Sequence, residues 1–203
     1  MVPAFGNANP DSVLSCAGFL SDYGRWSEGL PAGEIQDAPI FNVAYRRSAL
    51  LEFGELLESA LSQGAELAAG LRVRGHSIFF EPEARIDHLN LSRPMAWFQE
   101  RFYSGLLVGT NRAERWSLPR RLVYFCGSPL IPAVLLSRMV KGVVRTARRQ
   151  HLPVGTVAVM IVGAVVRSVG EMIGYLRKGG SSVQMRMDDY ELHKAAYVAG
   201  AGP

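Results

Sequence analysis

Two long apolar runs flank a basic stretch, residues 138–151, in the second half of the chain, and they restrict the folds that the chain can adopt. The first run, residues 122–137, has 16 uncharged residues, and the second, residues 152–166, has 15. A helix that crosses a membrane needs about 20 predominantly apolar residues, so each run is short by a strict count. The second run continues past Arg167 as a candidate helix of roughly 25 residues, in which Arg167 and Glu171 are four apart and can face each other.

The first run contains Pro129 and Pro132, which favour a kinked, re-entrant or interfacial segment over a straight span. Residues 112–149 carry nine basic side chains and one acidic side chain, whereas residues 1–111 carry 13 acidic and 8 basic ones. Anionic headgroups attract such a basic segment by about 1 kcal/mol per residue near the surface. The sequence therefore predicts contact with membrane lipids, with the basic side cytoplasmic.

Two other classes of protein share some of these features. A soluble protein with buried apolar helices and a solvated basic face remains an alternative. Nucleic acid is a poor partner, because the basic segment lacks interleaved stacking aromatics and a reading motif. The loop-like residues 1–10 do not form a secretory signal. Cys16 and Cys126 are too few and too far apart for a metal knuckle or a disulfide framework, and we expect both to be buried free thiols.

The first half of the chain has a mixed pattern of helices and strands. We expect a helix over residues 11–26 and a strand over residues 40–47 that runs into a helix ended by Gly54. A helix over residues 59–74, closed by Gly75, precedes two short strands, SIFFEP and ARIDHL, which a proline turn separates. A further helix is expected from Pro94. The predicted division is a lobe over residues 1–115, membrane-associated helices over 116–180 and a polar flexible tail over 181–203.

Three short motifs follow one another within fifty residues. Their residues are Asn42, Tyr45, Arg46 and Arg47; Leu71, Arg72, Gly75 and His76; and Pro82, Ala84, Arg85 and His88. In this order they resemble the C-terminal half of a GT-A glycosyltransferase of the large inverting family 2, over about residues 10–115. The resemblance implies an α/β fold: a partial GT-A-like lobe of short strands with flanking helices, followed by hydrophobic membrane-associated helices.

The resemblance also implies a reaction, the transfer of a sugar from a nucleotide sugar to a glycan or lipid-linked acceptor. Asn42, Tyr45, Arg46 and Arg47 are the implied substrate-binding residues, although the two arginines are equally consistent with an outward pair at a helix start and Asn42 with a turn. His88 is implied as a ligand of a divalent cation, Mn²⁺ or Mg²⁺, that neutralises the leaving diphosphate. A hydrogen-bonded structural histidine is the alternative.

Two departures from the family pattern affect the catalytic assignment. The acidic pair that normally supplies the general base is replaced by Gln63 and Gly64, which leaves Glu66 as the candidate base and Glu58 as a second choice. A solvated surface glutamate is the alternative for Glu66. Arg101 is a further candidate substrate-binding residue near the acceptor end, since its segment partly resembles a Gln-x-x-Arg-Trp motif of some processive relatives.

The family's nucleotide-binding half, which ends in an Asp-x-Asp metal motif, has no counterpart in this sequence. We therefore expect a truncated or split glycosyltransferase, with a separately encoded N-terminal half as its partner if it is split. The alternative is a non-catalytic, membrane-bound interaction protein derived from such an enzyme, which the loss of the acidic pair favours.

Overall fold

A computed structural model describes residues 1–39, 41–61, 64–149, 151–177 and 179–199, without the side chains at positions 59 and 64–66. The described residues form a mixed fold of helices and one small sheet, as the sequence predicts in outline. They divide into two units. The sheet unit comprises residues 1–6 and 23–88, and the helical unit comprises residues 7–22 and 89–203.

The sheet unit contains three strands in the order β1-β3-β2. Strand β1, Val2–Asn7, is buried along most of its length. The expectation of a loop at residues 1–10 is therefore wrong for β1: Val2, Ala4 and Phe5 supply apolar side chains to the core, and this burial outweighs the turn propensity of their neighbours. Strand β2, Gly33–Ile35, pairs antiparallel with β3.

Strand β3, Ile78–His88, is a single strand, although the sequence suggested two strands separated by a turn at Pro82. Proline removes one backbone donor from a ladder, so it disrupts a strand only where a neighbour needs that donor. The pairs with β2 run from Ile78 to Phe80, and Pro82 lies beyond them. The strand therefore passes through the proline without losing a bond to β2.

Three short helices accompany the sheet: α2, Arg47–Leu51; α3, Leu57–Leu61; and α4, Gly64–Val73. Their apolar faces meet in a cluster whose buried members are Ala49, Phe53, Ala60, Leu67 and Leu71. Gly75 follows α4 and has a φ of 83°, the left-handed conformation with which a glycine closes a helix, as expected. Residues 41–46 contain no strand, so the strand expected over 40–47 is wrong for the described part of that range.

The helical unit begins with α1, Val13–Asp22, which is shorter than the helix expected over 11–26 because a 3-10 turn follows at Gly24–Trp26. The next helices are α5, Pro94–Arg115; α6, Leu118–Gly127; α7, Ile131–Ala147; and α8, Thr156–Leu176. Helix α9, Ser181–Leu192, occupies residues that were expected in a flexible tail, and its Tyr190 is buried.

Helices α5 and α8 cross at two pairs of glycines. Gly105 and Gly109 are four apart on α5, and Gly170 and Gly174 are four apart on α8. A Cβ atom at Gly105 would lie 1.9 Å from the carbonyl oxygen of Arg167, and one at Gly170 would lie 2.1 Å from that of Phe102. The backbones therefore touch, in the small-xxx-small pattern that brings helices together in membranes.

Two helical segments are long and apolar enough to cross a membrane, Leu118–Ala147 and Thr156–Leu176. The first is continuous through a 3-10 turn at Ser128–Leu130, where Pro129 interrupts the α-helical geometry, so the prolines produce a local irregularity and do not end the segment. Cys126 in this segment is exposed and only Cys16 is buried, so the expectation of two buried thiols is wrong for Cys126.

Candidate functional site

His88 ends β3 on its buried face. Side chains alternate between the two faces of a strand, and along β3 the even-numbered positions from Ile78 to His88 are the less exposed ones. The imidazole packs against Tyr23, with ring centroids 4.1 Å apart, and Tyr23 stacks on Phe5 at 4.8 Å. His88 is therefore the end of an aromatic row in the core of the sheet unit.

The described residues around His88 do not form a cation site by themselves. Within the described residues, no three His, Cys, Asp or Glu side chains lie close enough together to hold a metal ion. The neighbouring Asp87 accepts two hydrogen bonds from the Arg85 guanidinium, at 3.0 and 2.9 Å. We therefore assign no step of a reaction to a cation.

The segment that precedes α2 carries four of the predicted binding residues. Asn42 is exposed and has a φ of 61°, a left-handed conformation that asparagine tolerates in turns. Arg46 precedes the first residue of α2, Arg47 is that first residue, and both are exposed. These three side chains face solvent.

Tyr45 lies on the inner side of the same segment. It packs against the cluster around Phe53 and Leu71, and its hydroxyl is buried without a hydrogen-bond partner in the part of the chain that is described. Burial raises the pKa of the Tyr45 phenol. A buried hydroxyl without a partner costs about 1–3 kcal/mol in the free energy of folding. The Tyr45 hydroxyl can therefore donate a hydrogen bond to a polar group from outside the described residues.

The two candidate bases occupy neighbouring helices. Glu66 falls in α4, but its side chain lies outside the described residues, as does Gln63. Glu58 is in the first turn of α3 and is exposed.

Arg101 belongs to the helical unit and is almost completely buried. Its guanidinium bonds the carboxylate of Asp22 through two nitrogens, at 2.9 and 2.5 Å, and its Nε donates to Glu100 at 2.5 Å. Burial lowers the pKa of Arg101, but the two carboxylates outweigh it and raise the pKa. These three hydrogen bonds connect Arg101 of α5 to Asp22 of α1 and to Glu100 of its own helix, so the side chain links α1 to α5.

The helical unit also contains a cavity that the sequence did not indicate. Its volume is about 460 Å³, and residues of α5, α6, α7 and α8 line it. Apolar side chains such as Val123, Val134 and Leu135 form most of the wall. The charged groups on the wall are Arg112, Arg138, Arg167 and Glu171.

The charged groups of the cavity are not paired as the sequence suggested. Glu171 bonds Arg112 of α5 at 2.5 Å and accepts a hydrogen bond from the Tyr175 hydroxyl at 2.5 Å, so its partner is not Arg167. The Nε of Arg167 is buried without a hydrogen-bond partner among the described residues. The spacing of residues along α8 could not predict the pairing of Glu171 with Arg112, because Arg112 reaches Glu171 only when α5 packs against α8.

Aromatic and basic side chains gather where α5 ends and α6 begins. Trp116 packs against Tyr124 and Tyr175, with centroids 4.6 and 5.9 Å away, and the Arg120 guanidinium lies 4.2 Å from the Trp116 ring centroid. Arg121 donates to the Tyr175 carbonyl at 2.6 Å. Tryptophan, tyrosine and arginine together are typical of a protein surface at the level of lipid headgroups.

Comparison of the chain with protein-family models, with curated proteins and with solved structures found no match in any of the three.

Proposed function

We propose that the chain is a membrane-bound part of a glycosyltransferase similar to family 2, which transfers a sugar from a nucleotide sugar to a glycan or lipid-linked acceptor at the cytoplasmic face. One observation in the sheet unit supports this proposal. Helix α4, closed by Gly75, leads into strand β3, which ends at His88, and this is the order in which the resemblance requires its motifs. A nucleotide-binding half acts together with the chain.

The residues of the chain have defined parts in the proposed reaction. The acceptor hydroxyl attacks the anomeric carbon of the sugar, its proton passes to the Glu66 carboxylate, and the nucleoside diphosphate leaves. Arg46 and Arg47 are exposed at the start of α2, where guanidinium groups can bond the diphosphate. Asn42, exposed in the preceding turn, can bond a sugar or acceptor hydroxyl.

The test uses membranes that contain the chain together with a nucleotide-binding half from the adjacent coding sequence. These membranes are incubated with radiolabelled uridine and guanosine diphosphate sugars, and label in the lipid and polymer fractions is counted. We expect transfer that requires both parts. Glu66→Gln should lower turnover by about 10² to 10⁴, the usual contribution of a general base, with donor binding unchanged.

Glu55→Gln is the matched control, because it removes the same charge from an exposed position in the 3-10 turn Gly54–Leu56, and Glu55 has no part in the proposed reaction. It should retain most of the activity. Full activity in Glu66→Gln would remove Glu66 from the mechanism, and no transfer with any donor would contradict the enzyme proposal.

A second candidate function is that of a non-catalytic interaction protein at the membrane. The observation that favours it is the pair Gln63-Gly64, which stands where the family pattern has two acids. In that case the chain would remain bound to membranes, but no pairing with a nucleotide-binding half would give sugar transfer.

A further inference from the structure

The cavity of the helical unit has an excess of positive charge. Arg112 and Glu171 neutralise each other through their 2.5 Å contact, which leaves Arg138 and Arg167 and a net charge of +2 on the wall. Arg138 is exposed, and the Arg167 Nε is buried without a hydrogen-bond partner in the described part of the chain. The cavity therefore presents two guanidinium groups that can donate hydrogen bonds to a ligand.

One further carboxylate acts on this charge. Arg167 interacts electrostatically with Glu100, which is buried and paired with Arg101 at 2.5 Å. The Glu100 carboxylate is therefore shared between Arg101 and Arg167 and offsets the Arg167 charge only in part.

Most of the remaining wall is apolar and belongs to the two segments that are long enough to cross a membrane. Arginine within such segments is costly, at about 2.5–3.5 kcal/mol near the middle of a bilayer, and usually marks a functional site. A volume of about 460 Å³ falls in the range of sites for small ligands. A ligand with an anionic head and a hydrocarbon chain would satisfy both parts of this wall.

We propose that the cavity binds a membrane lipid with a terminal phosphate. A phosphate monoester carries a charge of about −1.5 to −2, which matches the charges of Arg138 and Arg167, and its oxygens accept hydrogen bonds from guanidinium groups. The hydrocarbon chain lies against Val123, Val134 and Leu135. This inference needs only the cavity and stands independently of the proposed sugar transfer.

The experiment uses the full chain, purified in detergent and mixed with equal amounts of phosphatidic acid, phosphatidylglycerol and phosphatidylcholine. Native mass spectrometry then counts the lipids that stay bound. We expect phosphatidic acid to be retained most, since only its headgroup is a phosphate monoester. Arg138→Gln should weaken its binding about tenfold or more, as expected for loss of a charge-assisted hydrogen bond.

Two further variants separate the cavity from general basic attraction and from misfolding. Leu135→Trp keeps every charge but fills the cavity, and should also weaken binding about tenfold or more. Arg148→Gln removes the same charge from an exposed position after α7, outside the cavity, and should bind as the wild type does. Circular dichroism of each variant checks that its helices are intact.

Three results would overturn the inference. Equal losses in Arg138→Gln and Arg148→Gln would show attraction to the basic surface alone. Equal retention of phosphatidylglycerol would exclude a site for a terminal phosphate. Displacement of phosphatidic acid by millimolar inorganic phosphate would make the phosphate ion, and not a lipid, the ligand.

Discussion

The sequence predicts His88 as a cation ligand and Arg101 as a substrate-binding residue, but both side chains are buried in contacts with other residues of the chain. Arg101 has its guanidinium between the carboxylates of Asp22 and Glu100. Removing one partner of a buried ion pair usually costs about 3–5 kcal/mol, because the other charge remains without compensation. Substitution of Arg101 should therefore destabilise the helical unit, and a loss of activity in such a variant would not by itself identify an acceptor site.

At His88, substitution by alanine should destabilise the sheet unit. The variant loses a buried ring and its contact with Tyr23, so we expect a loss of about 2–3 kcal/mol in the free energy of unfolding. Thermal unfolding followed by near-ultraviolet circular dichroism measures this loss. Phe79→Ala is the control, because Phe79 is on the opposite, exposed face of the same strand and should cost less than about 1 kcal/mol.

The same variant distinguishes the two roles considered for His88. If His88 is a structural residue, the chain combined with its nucleotide-binding half should need the same concentration of divalent cation for half-maximal rate with His88→Ala. A rise in that concentration at unchanged thermal stability would identify His88 as a ligand, and the packing role would be contradicted.

At the scale of elements, the glycines between α5 and α8 set how closely the two helices approach. Gly105→Ala should destabilise the helical unit by about 1–3 kcal/mol, the usual cost of overpacking, because the new methyl group meets the Arg167 carbonyl and neither backbone can move freely. The loss should appear as a lower melting temperature in detergent.

Gly127→Ala is the matched control for this prediction. A Cβ atom at Gly127 has no neighbour within 4 Å, and alanine is the better helix former, so this variant should be neutral or slightly stabilised. Equal melting temperatures for Gly105→Ala and Gly127→Ala would show that the two helices do not touch at Gly105.

The elements were predictable from sequence where local signals decide them. Pro94 begins α5, and Gly75 follows α4, as their conformational preferences require. Contacts between residues far apart in the sequence decide the rest. Strand β1 forms because it pairs with β3, and β3 continues through Pro82 because its pairing with β2 ends before that residue. Glu171 pairs with Arg112 on another helix. For the same reason the cavity could not be foreseen, since its arginines come from three helices that are apart in sequence.

At the scale of the whole molecule, the distribution of apolar surface favours a membrane environment. A core helix of a soluble protein also passes a test of length and apolarity, but such a helix is mostly buried. In the most apolar window of Leu118–Ala147 only 11% of the residues are buried, and in that of Thr156–Leu176 39% are. The exposed side chains include Leu122, Val123 and Val162, which water solvates poorly.

We therefore predict that the full chain is recovered with membranes and stays there after washing at alkaline pH in carbonate, which removes proteins held by charge alone. A variant with Arg145, Arg148 and Arg149 changed to glutamine should bind anionic vesicles more weakly at low salt, by about 1 kcal/mol per residue, and yet resist carbonate as the wild type does. Sedimentation of washed membranes, followed by immunoblotting, measures both.

Recovery of the chain as a soluble monomer without detergent would contradict the prediction, because the exposed apolar side chains of α6, α7 and α8 would then have to be covered by protein. Loss of the wild type in carbonate, with retention restored by anionic lipid at neutral pH, would instead place these helices on the membrane surface, held by their basic residues.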